Sequence, residues 1–171
     1  MRNILVCFAM MFAVMAAHAE PMWGKAEYGA SAAEIAKLFP EGASVTPTEK
    51  QRLDSGAMLR FQIENVEILG KSFAASFYFL DDGLKQVVLR HKSQENAHSC
   101  ELTAGAVQEA LRAKYGPDIK STRSGGLGVM RDASWTSGKT TISMTMFAYN
   151  TPSCSIFINY SSRLAEAGSK L

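Results

Sequence analysis

Hydrophobic and polar residues alternate in three stretches of the first half of the chain. The period of two at 59–63 and 73–79 is typical of half-buried strands, and 84–91 continues as a third. Turns at 70–71 and 81–83 are short enough to make neighbouring strands antiparallel. We expect the glycine that ends the second turn to supply its positive φ. These segments predict an antiparallel meander.

A helix is predicted on each side of this meander. The first begins at Ser31, whose spacing to Glu34 matches a capping box, and Pro40 ends it. For the second, Ser99 is the predicted cap and Gly116 follows the last turn. Its predicted apolar stripe comprises Cys100, Ala104, Val107, Leu111 and Tyr115. We interpret residues 41–54 as a polar loop and residues 92–98 as a polar linker.

Alternation returns after the second helix. Strands are predicted near 118–122, 129–135 and 140–149, and a last strand follows Pro152. A helix followed by an antiparallel meander therefore occurs twice, and we expect the two units to pack or to pair their edges. The predicted fold class is α+β, with tandem repeats at 20–92 and 93–162 and both helices on one face of the sheet. Residues 163–171 are predicted to form a flexible tail.

In architecture, this order of elements resembles the exported small α+β proteins grouped around the β-lactamase inhibitor protein and the barrel-assembly lipoprotein family of the outer membrane. The residues that carry the resemblance are Trp23, Ser31 to Phe39, Phe77 to Leu89 and the strand pattern of the second half. It covers most of the chain after residue 19. The resemblance implies that the chain acts by binding other proteins, and it transfers no functional residue.

The N-terminus predicts export. Arg2 precedes an apolar run from Ile4 to Ala16, and Ala19 ends a small-residue cleavage motif. The run is shorter than a stable membrane anchor, so we expect cleavage after Ala19 and a product in the periplasm or outside the cell, with no membrane span. Cys7 lies inside the apolar run, which continues well past it, and this departs from the assembly lipoproteins.

Composition narrows the function further. The 152 residues after the signal can bury a core of their own, and they carry 17 basic and 16 acidic groups. A chain with no basic stripe cannot displace counterions from a nucleic-acid backbone, so nucleic-acid binding is not expected.

Two cysteines remain once Cys7 is removed. Cys100 and Cys154 form an even pair in an oxidising compartment, and a disulfide is the predicted state. No Cys-x-x-Cys motif favours reactive thiols instead.

Two glycine-containing segments imitate phosphate-binding loops. Residues 137–140 read Ser-Gly-Lys-Thr, but the glycine that the full motif needs at 133 is alanine, so we predict a hairpin turn. Residues 124–128 are glycine-rich but precede no helix that could favour an anion. This segment is predicted to be a hairpin tip, and its flanking Arg123 and Arg131 make it a candidate partner-binding loop.

Histidines and methionines offer little predicted metal chemistry. His91 and His98 have no acidic neighbour at zinc-site spacing, so we expect both on the surface and no metal site. Met144 and Met146 share a face with apolar residues and are predicted to be core. A nucleophilic triad of a serine, one histidine and Asp81 or Asp82 is the basis for an alternative, a hydrolase or metal-handling protein.

The leading functional hypothesis is a non-enzymatic module that binds another envelope protein and needs no cofactor. Tyr78 is predicted to lie on the sheet face opposite Phe77 and Phe79, where it is either covered by the other repeat or exposed to a partner. Tyr78, Arg123 and Arg131 are the candidate binding residues.

Overall fold

The computed structural model describes residues 21–125, 128–149 and 152–163. The predicted signal peptide, residues 126–127 of the glycine-rich segment and residues 164–171 of the predicted tail lie outside this part of the chain. The described fold is α+β, as the sequence predicted. Its helices are α1 (Ala32–Leu38) and α2 (Ala97–Tyr115), and its strands are β1 (Ala43–Ser44), β2 (Met58–Ile68), β3 (Lys71–Leu80), β4 (Gly83–Ser93), β5 (Lys120–Ser124), β6 (Gly128–Ser137), β7 (Thr140–Tyr149) and β8 (Cys154–Ser162).

All eight described strands belong to one antiparallel sheet in the order β1-β2-β3-β4-β8-β7-β6-β5. The two strand groups meet where β4 pairs with β8, from Gln86↔Ser161 to Ser93↔Cys154. The prediction that the groups pair their edges into one body is confirmed. The last strand therefore lies in the middle of the sheet.

One face of the sheet, the inner face, carries the core. Alternate residues of every long strand point to it, among them Phe77, Ile142 and Trp135, each of which is fully buried. Ile35 of α1 and Val107 of α2 join the same cluster, so both helices pack on this face. The core forms because the apolar residues of each strand, which recur every second position, face the apolar residues of each helix, which recur every 3.6 positions.

The turns of the first meander differ from their prediction. Positive φ angles occur at Asp81 (50°) and Asp82 (67°), and the expectation that Gly83 would supply the positive φ is wrong. A two-residue hairpin loop needs both of its residues in the left-handed region, which aspartate tolerates better than most side chains. The preceding loop consists of Leu69 and Gly70, so it starts one residue earlier than predicted.

Helix caps are confirmed in one case and corrected in the other. Ser31 and Glu34 form the predicted capping box at α1. At α2 the cap is Asn96, whose side-chain oxygen accepts from the Ser99 amide at 2.9 Å, so the predicted Ser99 cap is wrong. Because β4 extends to Ser93 as well, the predicted linker at 92–98 shrinks to three residues.

The predicted loop at 41–54 contains two short elements. Strand β1 pairs with β2 at Ala43↔Gln62, and Glu49–Gln51 forms a turn of 3-10 helix. Gly42 precedes β1 so closely against the sheet that a Cβ there would lie 2.4 Å from the Phe61 ring. This close approach explains why the position is glycine.

Candidate functional site

No described element covers the outer face of the sheet, which lies opposite the two helices. Strand register places its central side chains in three rows that run across β3, β4, β8, β7 and β6. The rows are Ser76–Val88–Asn159–Ser143–Ser134, Tyr78–Gln86–Ser161–Thr141–Thr136 and Ala74–Arg90–Phe157–Thr145–Asp132. Seven of these fifteen side chains are serine or threonine, and most of the others are polar or charged, so the face is largely polar.

Aromatic rings interrupt this polar face. Phe157 and Phe147 pack edge to face with ring centroids 6.4 Å apart, and both are half-buried. Tyr78 is also half-buried on this face, as predicted from its strand parity, and burial raises the pKa of its phenol. The aromatic groups therefore present apolar edges to solvent between hydroxyl groups.

Polar contacts hold several outer-face side chains in place. Thr145 donates to Asp132 at 2.8 Å, and Asn159 donates to Ser143 at 3.4 Å. A shallow depression of about 280 Å³ lies beside these contacts, with Lys120 and Thr122 on its β5 side. By contrast, Arg90 and Lys92 are exposed and have no salt bridge among the described residues.

Arg123 and Arg131 lie on the other side of the sheet. They are directly opposite each other in the β5–β6 pair, and Arg131 is opposite the buried Met146, which assigns both to the inner face. Both guanidinium groups contact Oε1 of Glu101 on α2, with Arg131 Nη2 at 3.4 Å. The hydrogen bond from Arg123, the larger effect, and that from Arg131 lower the pKa of the Glu101 carboxyl.

The disulfide predicted from cysteine count is present. The sulfurs of Cys100 and Cys154 are 2.10 Å apart, and both residues are fully buried. The bond joins the first turn of α2 to the start of β8, as predicted. It closes a loop of 54 residues that includes β5, β6 and β7.

His91 is not on the surface, and that prediction is wrong. It is 6% exposed because its parity on β4 matches the inner-facing Leu89. Its Nδ1 lies 2.8 Å from the Ser72 carbonyl oxygen, whereas its buried Nε2 has no hydrogen-bond partner among the described residues. A ring nitrogen of His91, a carboxylate oxygen of Glu95 and Cys154 Sγ lie within 4.8 Å of one another.

Glu95 occupies the short connection between β4 and α2. Its Oε1 accepts from Lys71 at 2.7 Å, and Thr103 donates to Oε2 at 3.5 Å. The hydrogen bond from Lys71 is the main cause that lowers the pKa of the Glu95 carboxyl. No sequence motif joins Glu95 to His91 or Cys154, because the three residues come from separate elements. The same-face parity of Leu89 and His91 was the one sequence signal that His91 is buried.

His91 and Asp82, two residues of the predicted triad, lie far apart. Asp82 lies in the β3–β4 turn and pairs with Arg60 at 3.1 Å. His91 is nine residues further along the chain, mostly on the same strand, and such a strand separates its ends by about 30 Å. His98 is exposed on α2, as predicted for a surface histidine.

Two other predictions are confirmed. Residues 137–140 form a hairpin turn between β6 and β7, with φ of 52° at Gly138. Met144 and Met146 are fully buried core residues.

Searches of protein-family models, curated proteins and solved structures found no match to this chain. Neither described helix has the length and apolar character needed to cross a membrane.

Proposed function

We propose that the protein is a non-enzymatic module of the periplasm or extracellular space that binds another envelope protein through its outer sheet face. The observation that carries this proposal is the pair Phe147 and Phe157, which pack edge to face and are half-buried on a face that no described element covers. An open polar face is ordinary in an antiparallel sheet. Protein-binding surfaces differ from such an ordinary face in being enriched in aromatic side chains.

The small hydroxyl side chains support the same function. Serine and threonine lose little conformational entropy when a partner covers them, and their hydroxyls can donate or accept. Thr145 and Asn159 are already fixed by hydrogen bonds, so part of the surface is preorganised. Tyr78 belongs to this proposed surface and adds a phenolic hydroxyl beside its apolar ring.

Charge indicates the character of the partner. Arg90 and Lys92 are exposed on β4, and Arg90 shares a row with Phe157. With no acidic partner among the described residues, these cations favour a surface that carries carboxylates. The proposed partner is therefore a folded envelope protein with an acidic contact surface.

Two further features of the chain support the proposal. The N-terminal signal supports export, and the disulfide between Cys100 and Cys154 suits an oxidising compartment. We also propose that residues 20–92 and 93–162 are two copies of one helix-plus-sheet unit, joined at the β4–β8 pair. We keep Arg123 and Arg131 as proposed partner contacts on the inner face, where the Arg123 side chain is 60% exposed.

Site-specific photocrosslinking tests the proposal. A photoreactive residue at Phe157 should crosslink to one defined envelope protein, and the same residue at Leu102, which is 63% exposed on α2, should not. With that protein purified, Arg90→Glu should weaken binding at least tenfold, whereas Lys25→Glu, an exposed change beside α1, should leave it unchanged. Equal crosslinking from both positions, or no effect of Arg90→Glu, would contradict the proposal.

A further inference from the structure

We propose that reduction of the disulfide between Cys100 and Cys154 creates a Zn²⁺ site whose other ligands are His91 and Glu95. This site is separate from the outer sheet face, since all four side chains lie at the junction of β4, β8 and the start of α2. Two thiolates, an imidazole and a carboxylate make a ligand set of the kind that zinc prefers, in tetrahedral geometry.

The unpartnered nitrogen of His91 is the first observation behind the proposal. Nδ1 faces the Ser72 carbonyl at 2.8 Å, and a carbonyl can only accept, so Nδ1 carries the proton. Nε2 then has a lone pair, yet it is buried and no residue in the described part of the chain hydrogen-bonds to it. A metal-binding histidine shows this arrangement, in which one ring nitrogen is fixed by a carbonyl and the other is available.

A second buried polar atom without a partner lies beside the first. Ser93 Oγ is also unsatisfied, and Ser93 is opposite Cys154 in the β4–β8 pair. Unsatisfied buried polar groups are rare, and each calls for a bound species or a functional reason. Here two of them are on the same face of β4, next to the candidate ligands.

The distances suit a site that forms with small side-chain movements. One ligand atom each from His91, Glu95 and Cys154 already lie within 4.8 Å of one another. Two thiolates on one zinc ion need a sulfur separation of about 3.8 Å, which side-chain rotation can reach once the S–S bond is broken. The Cα atoms of Cys100 and Cys154, 5.4 Å apart, can remain in place.

Glu95 can serve as the fourth zinc ligand, and its side chain lies where an ion can enter the site. Its Oε1 is held by Lys71, while Oε2 has only the long 3.5 Å contact from Thr103. Its side chain is 23% exposed, in contrast to the fully buried sulfurs, so an ion can approach from this side. Cys100 lies in the first turn of α2, where the positive end of the helix dipole favours a thiolate.

The chemistry requires a dithiol reductant. Its thiolate attacks the protein disulfide, the S–S bond breaks, two electrons pass to the protein sulfurs, and the reductant leaves as its own disulfide. The two protein thiols then release two protons as they bind one Zn²⁺. A disulfide oxidant reverses the exchange: it takes two electrons from the protein sulfurs and leaves as a dithiol. The re-formed disulfide withdraws two ligands, so the site holds zinc only in the reduced state.

Cobalt binding by the purified protein tests the proposal. Cys7→Ser is used as the background so that Cys100 and Cys154 are the only cysteines in the chain. After reduction with a phosphine and its removal without air, the protein should bind one Co²⁺ per chain with thiolate-to-cobalt charge-transfer absorption and the visible bands of tetrahedral cobalt. The oxidised protein should show neither signal.

Histidine variants decide whether the site is the proposed one. Zinc affinity of the reduced protein, measured by competition with a chromophoric chelator, should fall at least tenfold in His91→Leu and be unchanged in His98→Leu. If His91→Leu lacks the wild-type circular dichroism when oxidised, His91→Gln replaces it and should show the same loss. Absence of cobalt binding after reduction, or full zinc affinity without His91, would overturn the proposal. The second result is also the one expected if the reduced chain were unfolded and its two thiolates bound zinc without the site. Neither result would affect the proposed protein-binding function, which crosslinking from the outer face tests separately.

Discussion

Arg131 of β6 and Glu101 of α2 join the second half of the sheet to its helix, with Nη2 3.4 Å from Oε1. Both side chains are only about one-fifth exposed, at 21% and 22%. Arg123 contacts the same carboxylate oxygen, and Gln108 accepts a further hydrogen bond from Arg131 at 3.2 Å. One carboxylate therefore holds two strands, β5 and β6, against α2.

Replacement of this carboxylate should lower stability in a pH-dependent way. We expect Glu101→Gln to lower the free energy of unfolding at pH 7 by about 1 kcal/mol, because two arginines lose their shared charge partner. The pKa of Glu101 is lowered from 4.5 in the folded state, so its stabilisation is present above pH 4.5 and is lost as the pH falls through the folded-state value.

Urea unfolding from pH 7 to pH 2 measures this effect. The difference between wild type and Glu101→Gln should shrink towards zero at the acid end. Glu109→Gln is the matched control, since Glu109 pairs with Arg112 on the same helix but is 69% exposed, and it should cost only a few tenths of a kcal/mol. A difference that stays constant over the whole range would contradict the assigned role of the carboxylate.

Loss of the disulfide should cost far more. In the chain-entropy model, a bond between residues 54 positions apart stabilises the fold by about 4 kcal/mol, because it restricts the unfolded chain. The double change of Cys100→Ser and Cys154→Ser should reduce the free energy of unfolding by that amount in chemical denaturation. Cys7→Ser should have no effect on the folded domain. A loss below 1 kcal/mol in the double variant would show that the unfolded chain is already restricted.

The cap of α2 can be distinguished from its predicted alternative by two alanine variants. Asn96→Ala removes the side-chain oxygen that accepts from the Ser99 amide and should cost about 1 kcal/mol. Ser99→Ala keeps that backbone amide and should change stability by no more than a few tenths of a kcal/mol. Thermal unfolding followed by circular dichroism would show which variant is less stable. A larger loss of stability in Ser99→Ala would support Ser99 as the cap, as predicted from the sequence.

Gly42 is expected to tolerate no side chain. A Cβ at this position would lie 2.4 Å from two carbons of the buried Phe61 ring and 3.0 Å from the Gln62 carbonyl oxygen. Displacement of the ring should make Gly42→Ala about 1–3 kcal/mol less stable than wild type. Gly125→Ala meets nothing within 4 Å and should change the free energy of unfolding by less than about 0.5 kcal/mol. Equal denaturation midpoints for the two variants would disprove the proposed clash.

The strands were predictable because apolar and polar residues alternate along a half-buried strand. Phe73, Phe77 and Phe79 occupy the inner face, and Tyr78 occupies the outer face, as their parity required. The helix start at Ser31 was equally clear, since both partners of the capping box are within three residues. At α2, Asn96 and Ser99 are both good caps, and local chemistry alone did not decide between them.

Contacts between distant segments were not predictable in the same way. His91 was expected on the surface because no acidic residue lies at a metal-site spacing, yet folding brings Glu95 and Cys154 to it from a loop and from β8. Arg123 and Arg131 were expected at an exposed loop, and only the position of α2 shows that Glu101 holds both of them. Side-chain chemistry identifies candidates, but proximity depends on how the elements pack.

The sequence by itself determined the α+β class, the alternation of the strands, the hairpin at 137–140 and the pairing of the two cysteines, because each depends on neighbouring residues or on simple counting. Only the tertiary structure decided that β8 inserts beside β4, that both helices pack on the same sheet face and that His91 is buried next to Glu95 and the disulfide. Strand order and burial depend on which long-range contacts give the lowest free energy for the whole chain. A local sequence pattern does not contain the information about those contacts.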